Sequence, residues 1–579
     1  MKRYYKTNNS ISLIKEKKLR LKPEKVIIYK TLILTHYLKR QNLTIFAKAL
    51  ISGLHPPKKA SGGHITPTFS IDKTMIDFTP IARQYFAHRL QEIQRFVDYS
   101  ESVQREQLAT LLGCASYTEY GQKYRFPAIR GYNDFSNTLP LTTYEDLKPH
   151  IQRMIRGEKS ILWPGRVDKF AQSSGTSDGK SKYIPITNDA LKKNHYQGAS
   201  DVVALYLNMN PQSRIFSGKA FILGGSFANS VDYAAPGTQI GDLSASLIKN
   251  INPMANMMRV PSKSVALMEN WDEKLPALVA ASLNSNITNI SGVPSWFLTV
   301  IREVMKAAGA RSIHDVWPNL EVFFHGGISF DPYREQYQSI TDPQKMHFVE
   351  TYNASEGFFA SQSSFDTNAM LLLLDIGVFY EFIPIDQIDE ERPMVLPLWE
   401  ISAGETYALV ITSCNGLWRY KIGDTVYIES TSPLKIRIAG RTKSYINAFG
   451  EELMVHNANA AITYACVATG AQITDFTAAP VYTTEQSKGH HQWLIEFAKM
   501  PSSLEAFTEA LDSQLQHENS DYEAKRYNDI FLAAPEVVVA KNGIFDTWLG
   551  MTGKRGGQRK VPRLCNDRKI MNQLLDLNK

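Results

Sequence analysis

Residues 171–185 read Ala-Gln-Ser-Ser-Gly-Thr-Ser-Asp-Gly-Lys-Ser-Lys-Tyr-Ile-Pro, the stretch of this chain whose residue types speak most directly of chemistry. Ser173, Ser174, Gly175, Thr176 and Ser177 stand together just after the apolar-alternating run 167–170, with Lys180 and Lys182 beside them. Backbone N–H groups in such a loop can turn inward on an anion because little side chain blocks the approach, and the hydroxyls add donors. The economical reading is a loop that cradles the phosphates of a nucleotide. A Walker A loop is a poorer fit, because Gly179-Lys180-Ser181 needs a glycine where Ser174 stands. Gly175-Thr176-Ser177-Asp178-Gly179 also satisfies the Gly-x-Ser-x-Gly of a hydrolase nucleophile elbow, a pattern that is cheap in so Gly- and Ser-rich a segment. A solvated surface turn is the bland alternative.

The elements that must position this loop follow from periodicity. After Met75 a helix is expected with Ile81, Tyr85, Leu90, Ile93, Phe96 and Val97 on one face, then a second with Leu108, Leu111 and Leu112. Between about residues 160 and 440, short apolar runs at 221–223, 287–290, 321–324 and 407–412 read as buried strands, and 295–308 as a helix. That alternation predicts an α/β architecture. Beyond residue 440 the pattern changes to a helix (453–468), two strands (472–482 and 491–498), a helix (502–516) and a strand (530–540). The expected organisation is a basic extension over 1–74, a large multi-layered α/β domain over 75–440 and a small α+β domain over 441–579.

Composition bounds the function class. The chain has 579 residues, 43% hydrophobic and 21% charged, which is ordinary for a globular protein. Residues 1–74 hold 16 Lys and Arg against Glu16, Glu24 and Asp72, a net of +13, so the rest of the chain carries −6 within an overall +7. The body is therefore mildly acidic, which argues against a nucleic-acid partner. The expectation for 1–74 is a disordered tail, or a stretch upstream of the true start at Met75. Cys114, Cys414, Cys466 and Cys565 are scattered and form no Cys-x-x-Cys, so neither a zinc site nor a disulfide framework is indicated, as in a reducing cytoplasm. His490 and His491 read as surface residues rather than metal ligands. The best apolar run, 26–38, is broken by Lys30 and His36, so no membrane span is expected.

Four further clusters lie downstream: Thr351-Tyr352-Asn353-Ala354-Ser355-Glu356-Gly357, Arg419-Tyr420-Lys421-Ile422-Gly423-Asp424, Gly440-Arg441-Thr442-Lys443, and Gly556-Gly557-Gln558-Arg559-Lys560-Val561-Pro562-Arg563. Each alone has a bland reading as a helix cap, a turn, a hinge or a tail. In this order and with the Ser-rich loop, they resemble the adenylate-forming superfamily. More narrowly they resemble the auxin-responsive-promoter protein family, the acyl-acid amido synthetases of plants and their bacterial relatives, over roughly residues 75–570. The resemblance implies an ATP-dependent ligase that forms an acyl-adenylate and passes the acyl group to an amine, an amino acid. Delivery to coenzyme A is the alternative; a non-catalytic nucleotide-binding regulator and a P-loop nucleotidase fit less well.

By resemblance, Ser173, Ser174, Gly175, Thr176 and Ser177 hold the β- and γ-phosphates, and Gly326 and Gly327 line the adenine pocket with Tyr352 stacked on the base. Ser355 belongs to the same nucleotide site, Glu356 ligates Mg²⁺, and Asp424 accepts hydrogen bonds from the ribose. Arg441 and Lys443 lie where the small domain pivots, and Lys560 reaches the α-phosphate from it. The acyl pocket includes residues 290–300 and His325. The partners implied are a small carboxylic acid and an amine, with no nucleic acid or membrane, on a cytoplasmic monomer or weak oligomer. Asn353-Ala354 and Phe358-Phe359 depart from the plant pattern, and the acyl-pocket residues show no match to a plant hormone site, so the resemblance does not name the acid.

Overall fold

The apolar runs read as strands become members of one mixed sheet, twelve-stranded among the described residues. The computed structural model describes residues 77–173, 182–227, 231–328, 330, 333–388, 390–441, 445–451, 453–484, 487–529, 531–551 and 561–579. Met75–Lys579 forms a single compact unit, and the expectation for the basic segment 1–74 falls outside the described residues.

One half of the sheet is parallel. Arg259–Val260, Lys219–Ile222, Ile287–Gly292, Val322–His325 and His347–Ala354 lie side by side in that order. Parallel neighbours require crossovers, and the helices Trp271–Leu283, Pro294–Ala308 and Arg334–Ile340 supply them. The chain moves from Lys219–Ile222 outward to Arg259–Val260, then back past it to Ile287–Gly292, so the winding reverses beside Lys219–Ile222.

At His347–Ala354 the sheet changes character. Gly357–Gln362 returns antiparallel, and Met370–Leu372, Leu434–Arg441, Leu417–Thr431, Thr406–Ser413, Val378–Pro384 and Leu396–Pro397 continue antiparallel to the edge. The helices Thr79–Asp98 and Ser100–Ala115 cover this half. Gln104 is fully buried there, its amide donating to the carbonyls of Leu374 and Val378 and accepting from Tyr380 N (2.7, 2.9 and 2.9 Å). In the first helix Ala82, Phe86, Ile93 and Phe96 are buried, whereas Tyr85 is exposed. Ile93 and Phe96 are buried as expected, whereas in the first turns the buried positions are Ala82 and Phe86, one residue on from the expected Ile81 and Tyr85 and so about 100° round the helix.

A separate three-stranded sheet carries the Ser-rich segment. Lys169–Ser173 pairs antiparallel with Lys182–Pro185, Ser173 opposite Lys182, and parallel with Gln239–Gly241.

Residues beyond 445 build their own cores. Ile446, Phe449, Phe476, Trp493, Phe507 and Leu511 form one buried cluster, and Leu494, Phe545, Trp548, Met571 and Leu574 another. The elements are Val455–Thr469, Gln472–Val481, His490–Lys499, Leu504–Glu518, Ser520–Arg526, Glu536–Val539, Ile544–Met551 and Lys569–Leu577. The strand expected over 530–540 is only Glu536–Val539, the stretch that pairs with Gln492–Ile495 of the neighbouring strand. The reading of both histidines as surface residues is corrected. His491 is fully buried with Nε2 2.8 Å from Glu451 Oε1, while His490 faces outward near Glu536. Successive strand residues face opposite sides, so one of an adjacent pair must enter the core. No helix among the described residues is long and apolar enough to cross a membrane.

Candidate active site

Carboxyl ends of parallel strands point their backbone turns at one rim of the sheet, and ligands of open α/β sheets gather there. In this chain that rim opens into a cleft of about 1190 Å³. Gly224 and Gly225 follow Lys219–Ile222, Val293 follows Ile287–Gly292, Gly326 and Gly327 follow Val322–His325, and Ser355 and Glu356 follow His347–Ala354; all of them line the cleft.

Tyr352 and Asp424 form the centre of this rim. Both are buried, and the Tyr352 hydroxyl donates to Asp424 Oδ2 at 2.6 Å. Asp424 sits on Leu417–Thr431, directly opposite the backbone of Arg441. The Tyr352 ring rests on Phe359 (centroids 4.9 Å apart), which fixes the phenol before any ligand binds. Gly326 lies where the chain crosses Thr351: a Cβ there would stand 2.4 Å from the Thr351 carbonyl oxygen, so only glycine allows the approach.

Ser355 and Glu356 are the two-residue tip of the hairpin joining His347–Ala354 to Gly357–Gln362. Two buried asparagines brace it. Asn194 donates to the carbonyls of Phe358 and Ile376 and accepts from Phe358 N (3.0, 3.1 and 2.7 Å). Asn415 donates to the Glu356 carbonyl at 2.8 Å. Asn194 belongs to a π-helical turn, Ala190–His195, the kind of irregularity that gathers at functional sites.

The structure thus brings Gly326, Gly327, Tyr352, Ser355, Glu356 and Asp424 to one cleft. Ser173 ends its strand at the foot of the Ser-rich loop, and Gln172 and Lys182 on the two arms reach the same cleft. Ser174, Gly175, Thr176, Ser177, Lys443 and Lys560 lie outside the described residues, as does the Arg441 side chain. Val293 and Trp296, from the segment read as acyl pocket, line the cleft, but the His325 imidazole is buried against Phe330 (4.2 Å). Burial, with a smaller push from Arg334, lowers its pKa to about 3, so it stays neutral. Arg419, five residues before Asp424, is not a site residue. It is buried on Glu381 (Nη2–Oε1 2.9 Å) and donates to the carbonyls of Ser136 and Leu139.

Models of the GH3 family match this chain in order: the N-terminal domain over residues 89–346, the central domain over 371–441 and the C-terminal domain over 456–569. Together they take in well over half of its length. The chain belongs to the GH3 family. The resemblance read from the motifs is therefore right. Among GH3 relatives, an indole-3-acetic acid-amido synthetase, GH3.3 of Arabidopsis thaliana, is 23% identical over 84% of this chain and 92% of its own. The jasmonoyl–L-amino acid synthetase JAR4 of Nicotiana attenuata is 23% identical over 59% of this chain and 68% of its own. The fold is likewise that of a GH3 structure: the AtGH3.15 acyl acid amido synthetase in complex with 2,4-DB superposes with a TM-score of 0.56 at 18% identity, covering 89% of this chain and 98% of that one.

Asn194, Asn415 and the residues of the cleft's far wall, Asp242, Lys274 and Lys525 among them, carry no local motif. They come from separate elements and meet only through the topology, so spacing along the chain holds no sign of them.

Proposed function

We propose that this GH3-family chain activates a carboxylic acid with ATP as its acyl-adenylate and transfers the acyl group to the amino group of an amino acid. A single observation carries the reading. The Tyr352–Asp424 pair, the Gly326–Gly327 turn and the Glu356 hairpin converge on one strand-end cleft in a chain that spans nine-tenths of an amido synthetase's length.

In the first half-reaction a carboxylate oxygen attacks the α-phosphorus of ATP and pyrophosphate leaves. In the second, an amine nitrogen attacks the acyl carbonyl and AMP leaves with the electron pair of the broken C–O bond. Both steps are limited by positioning and charge. The Ser173–Ser177 segment is assigned to the β- and γ-phosphates, Tyr352 to the adenine face and Asp424 to the ribose hydroxyls. Mg²⁺ fits the donor set, since Glu356 offers one carboxylate at the cleft and this ion takes one or two carboxylates with phosphate oxygens and water completing the shell. Bound at Glu356, it would neutralise phosphate charge. Lys560 is assigned to the α-phosphate and the developing acyl oxygen. The domain division proposed is 75–440 for substrate binding and 441–579 as a mobile part that brings Lys560, with Arg441 and Lys443 at the pivot.

The test is pyrophosphate release over a panel of carboxylic acids, each run with and without an amino-acid mixture and coenzyme A, with products read by mass spectrometry. The expected result is release with at least one acid and an N-acyl amino acid as product. A thioester with no N-acyl amino acid would move the reading to a coenzyme A ligase, and no release with any acid would remove adenylation itself.

A further inference from the structure

The wall of the cleft away from Tyr352 and Asp424 has a composition of its own. Lys525, on Ser520–Arg526, is only 5% exposed, yet its ammonium has no hydrogen-bond acceptor among the described residues. It lies 4.2 Å from the Trp296 ring, a cation–π contact, and faces the cleft. The indole N–H groups of Trp296 and Trp271 are both buried, and neither has a partner among the described residues. Phe531 closes the patch, 4.8 Å from Trp271 and 5.9 Å from Trp296.

Lys274 shares this wall but is already engaged. Its ammonium donates to the carbonyls of Gly224 (2.7 Å) and Met268 (3.1 Å), and burial lowers its pKa to about 8. Asp242 also faces the cleft and accepts from Ser226 N at 2.7 Å. It lies so close to Gly225 that a Cβ there would meet its Oδ2 at 1.8 Å. Burial disfavours the ionised Asp242, whereas the Ser226 N–H, Lys525 and Lys274 favour it.

An ammonium that faces a cleft with no hydrogen-bond acceptor among the described residues is a ready partner for an anion, since charge-assisted hydrogen bonds are the strong ones. Such an ammonium calls for a carboxylate, and the aromatic faces call for apolar carbon. Asp242 in the same wall would repel a polyphosphate but complements an ammonium or amine. Those demands together describe an amino acid rather than a nucleotide.

Given the amido-synthetase reading above, we infer that this wall is the subsite for the acceptor amino acid, with Lys525 on its carboxylate, Asp242 on its amino group and Trp271, Trp296 and Phe531 around an apolar side chain. The specificity of the second half-reaction then lies between Trp271–Leu283 and Ser520–Arg526, apart from the residues assigned to ATP.

The test needs neither ATP nor an acid, so it stands apart from the pyrophosphate screen. Apolar L-amino acids and their primary amides, which lack the carboxylate, are titrated one by one into the full-length protein by calorimetry. At least one amino acid should bind, and its amide should bind about tenfold more weakly or worse, the share of one hydrogen bond to a charged group. Lys525→Gln should weaken the amino acid to the level of its amide and leave the amide unchanged, while Lys525→Arg should keep most of the preference. The inference is overturned if no amino acid binds, if the wild-type protein does not distinguish acid from amide, or if Lys525→Gln leaves the preference intact. The acid-to-amide ratio of the wild-type protein decides the matter alone should the glutamine variant not fold.

Discussion

Asp424 is held in place by Tyr352 before a nucleotide arrives, and that arrangement separates the roles of the two side chains. If Asp424 accepts from the ribose hydroxyls, Asp424→Ala removes charge-assisted bonds worth about 1.5–3 kcal/mol each, and KM for ATP should rise tenfold or more. Tyr352→Phe keeps the ring and removes only the 2.6 Å bond that aims the carboxylate. Its effect on KM should be smaller, within about tenfold, because the lost bond orients the carboxylate and leaves the carboxylate itself in place. Steady-state kinetics with saturating acid measure both; a KM unchanged by Asp424→Ala would remove Asp424 from the nucleotide site. Arg419 in the same sequence motif behaves differently. It adopts φ 43°, which costs a non-glycine residue about 1–2 kcal/mol, and is held there by Glu381 and two carbonyls. Arg419→Met leaves the Glu381 carboxylate buried without its cation, and urea unfolding should show a loss of about 3–5 kcal/mol. The motif was legible in the sequence. Its division into a cleft-lining acid and a buried structural arginine was not, because spacing within a strand says nothing about what stands behind it.

At the scale of elements, long amphipathic segments were the legible part. The helices Pro294–Ala308 and Leu504–Glu518 and the strands Gln472–Val481 and Thr406–Ser413 lie within two residues of their expected bounds. Short and irregular elements were not legible. Ser355-Glu356, which could equally have been a helix cap, is a hairpin tip, and the brace beneath it depends on a π-helical turn that no apolar period announces. The same turn carries His195, fully buried, whose pKa burial lowers to about 4. Between about pH 4 and 6.5 the unfolded chain therefore holds a proton that the folded one refuses, so stability falls as the pH falls through that window. The slope for one proton is about 1.4 kcal/mol per pH unit, and the loss levels off below about pH 4. His325 acts with the same sign, down to about pH 3. His195→Gln should flatten the urea-derived stability profile between about pH 6.5 and 5 by about one proton relative to wild type. Parallel profiles for the two proteins would mean that His195 titrates normally in the fold.

Across the whole molecule, the parallel half-sheet provides the rim, the antiparallel half delivers Asp424, and the chain beyond 445 stands over the cleft on cores of its own. It meets the larger region through hydrogen bonds, among them the Tyr333 hydroxyl to the Ala448 carbonyl (2.6 Å) and the Gln336 amide to the Thr483 carbonyl (2.6 Å), and through aromatic contacts of Phe531 with Trp271 and Trp296 and of Tyr482 with Tyr333. Separate cores are what the proposed mobility of this part requires. Chain order alone suggested the change of pattern after residue 440, but the two terminal helices went unread because Lys569–Leu577 is too short for periodicity to stand out. The residue on which the proposed chemistry depends most, Lys560, comes from this part. The backbone immediately after it is fixed: Val561 is buried, the Pro562 carbonyl accepts from Thr477 Oγ1 (2.7 Å), and Arg563 O and Cys565 N bond to Ala478 (both 2.9 Å). The residues that follow Lys560 in sequence are therefore tied beside Gln472–Val481. If Lys560 acts on charge that develops only as the α-phosphate reacts, Lys560→Ala should leave the Kd for ATP nearly unchanged and slow acid-dependent pyrophosphate exchange by about 10²–10³, the usual cost of one stabilising donor. The magnitude separates the alternatives. A comparable loss in ATP affinity would make Lys560 a ground-state binding residue, and full exchange activity would mean that another group meets the α-phosphate.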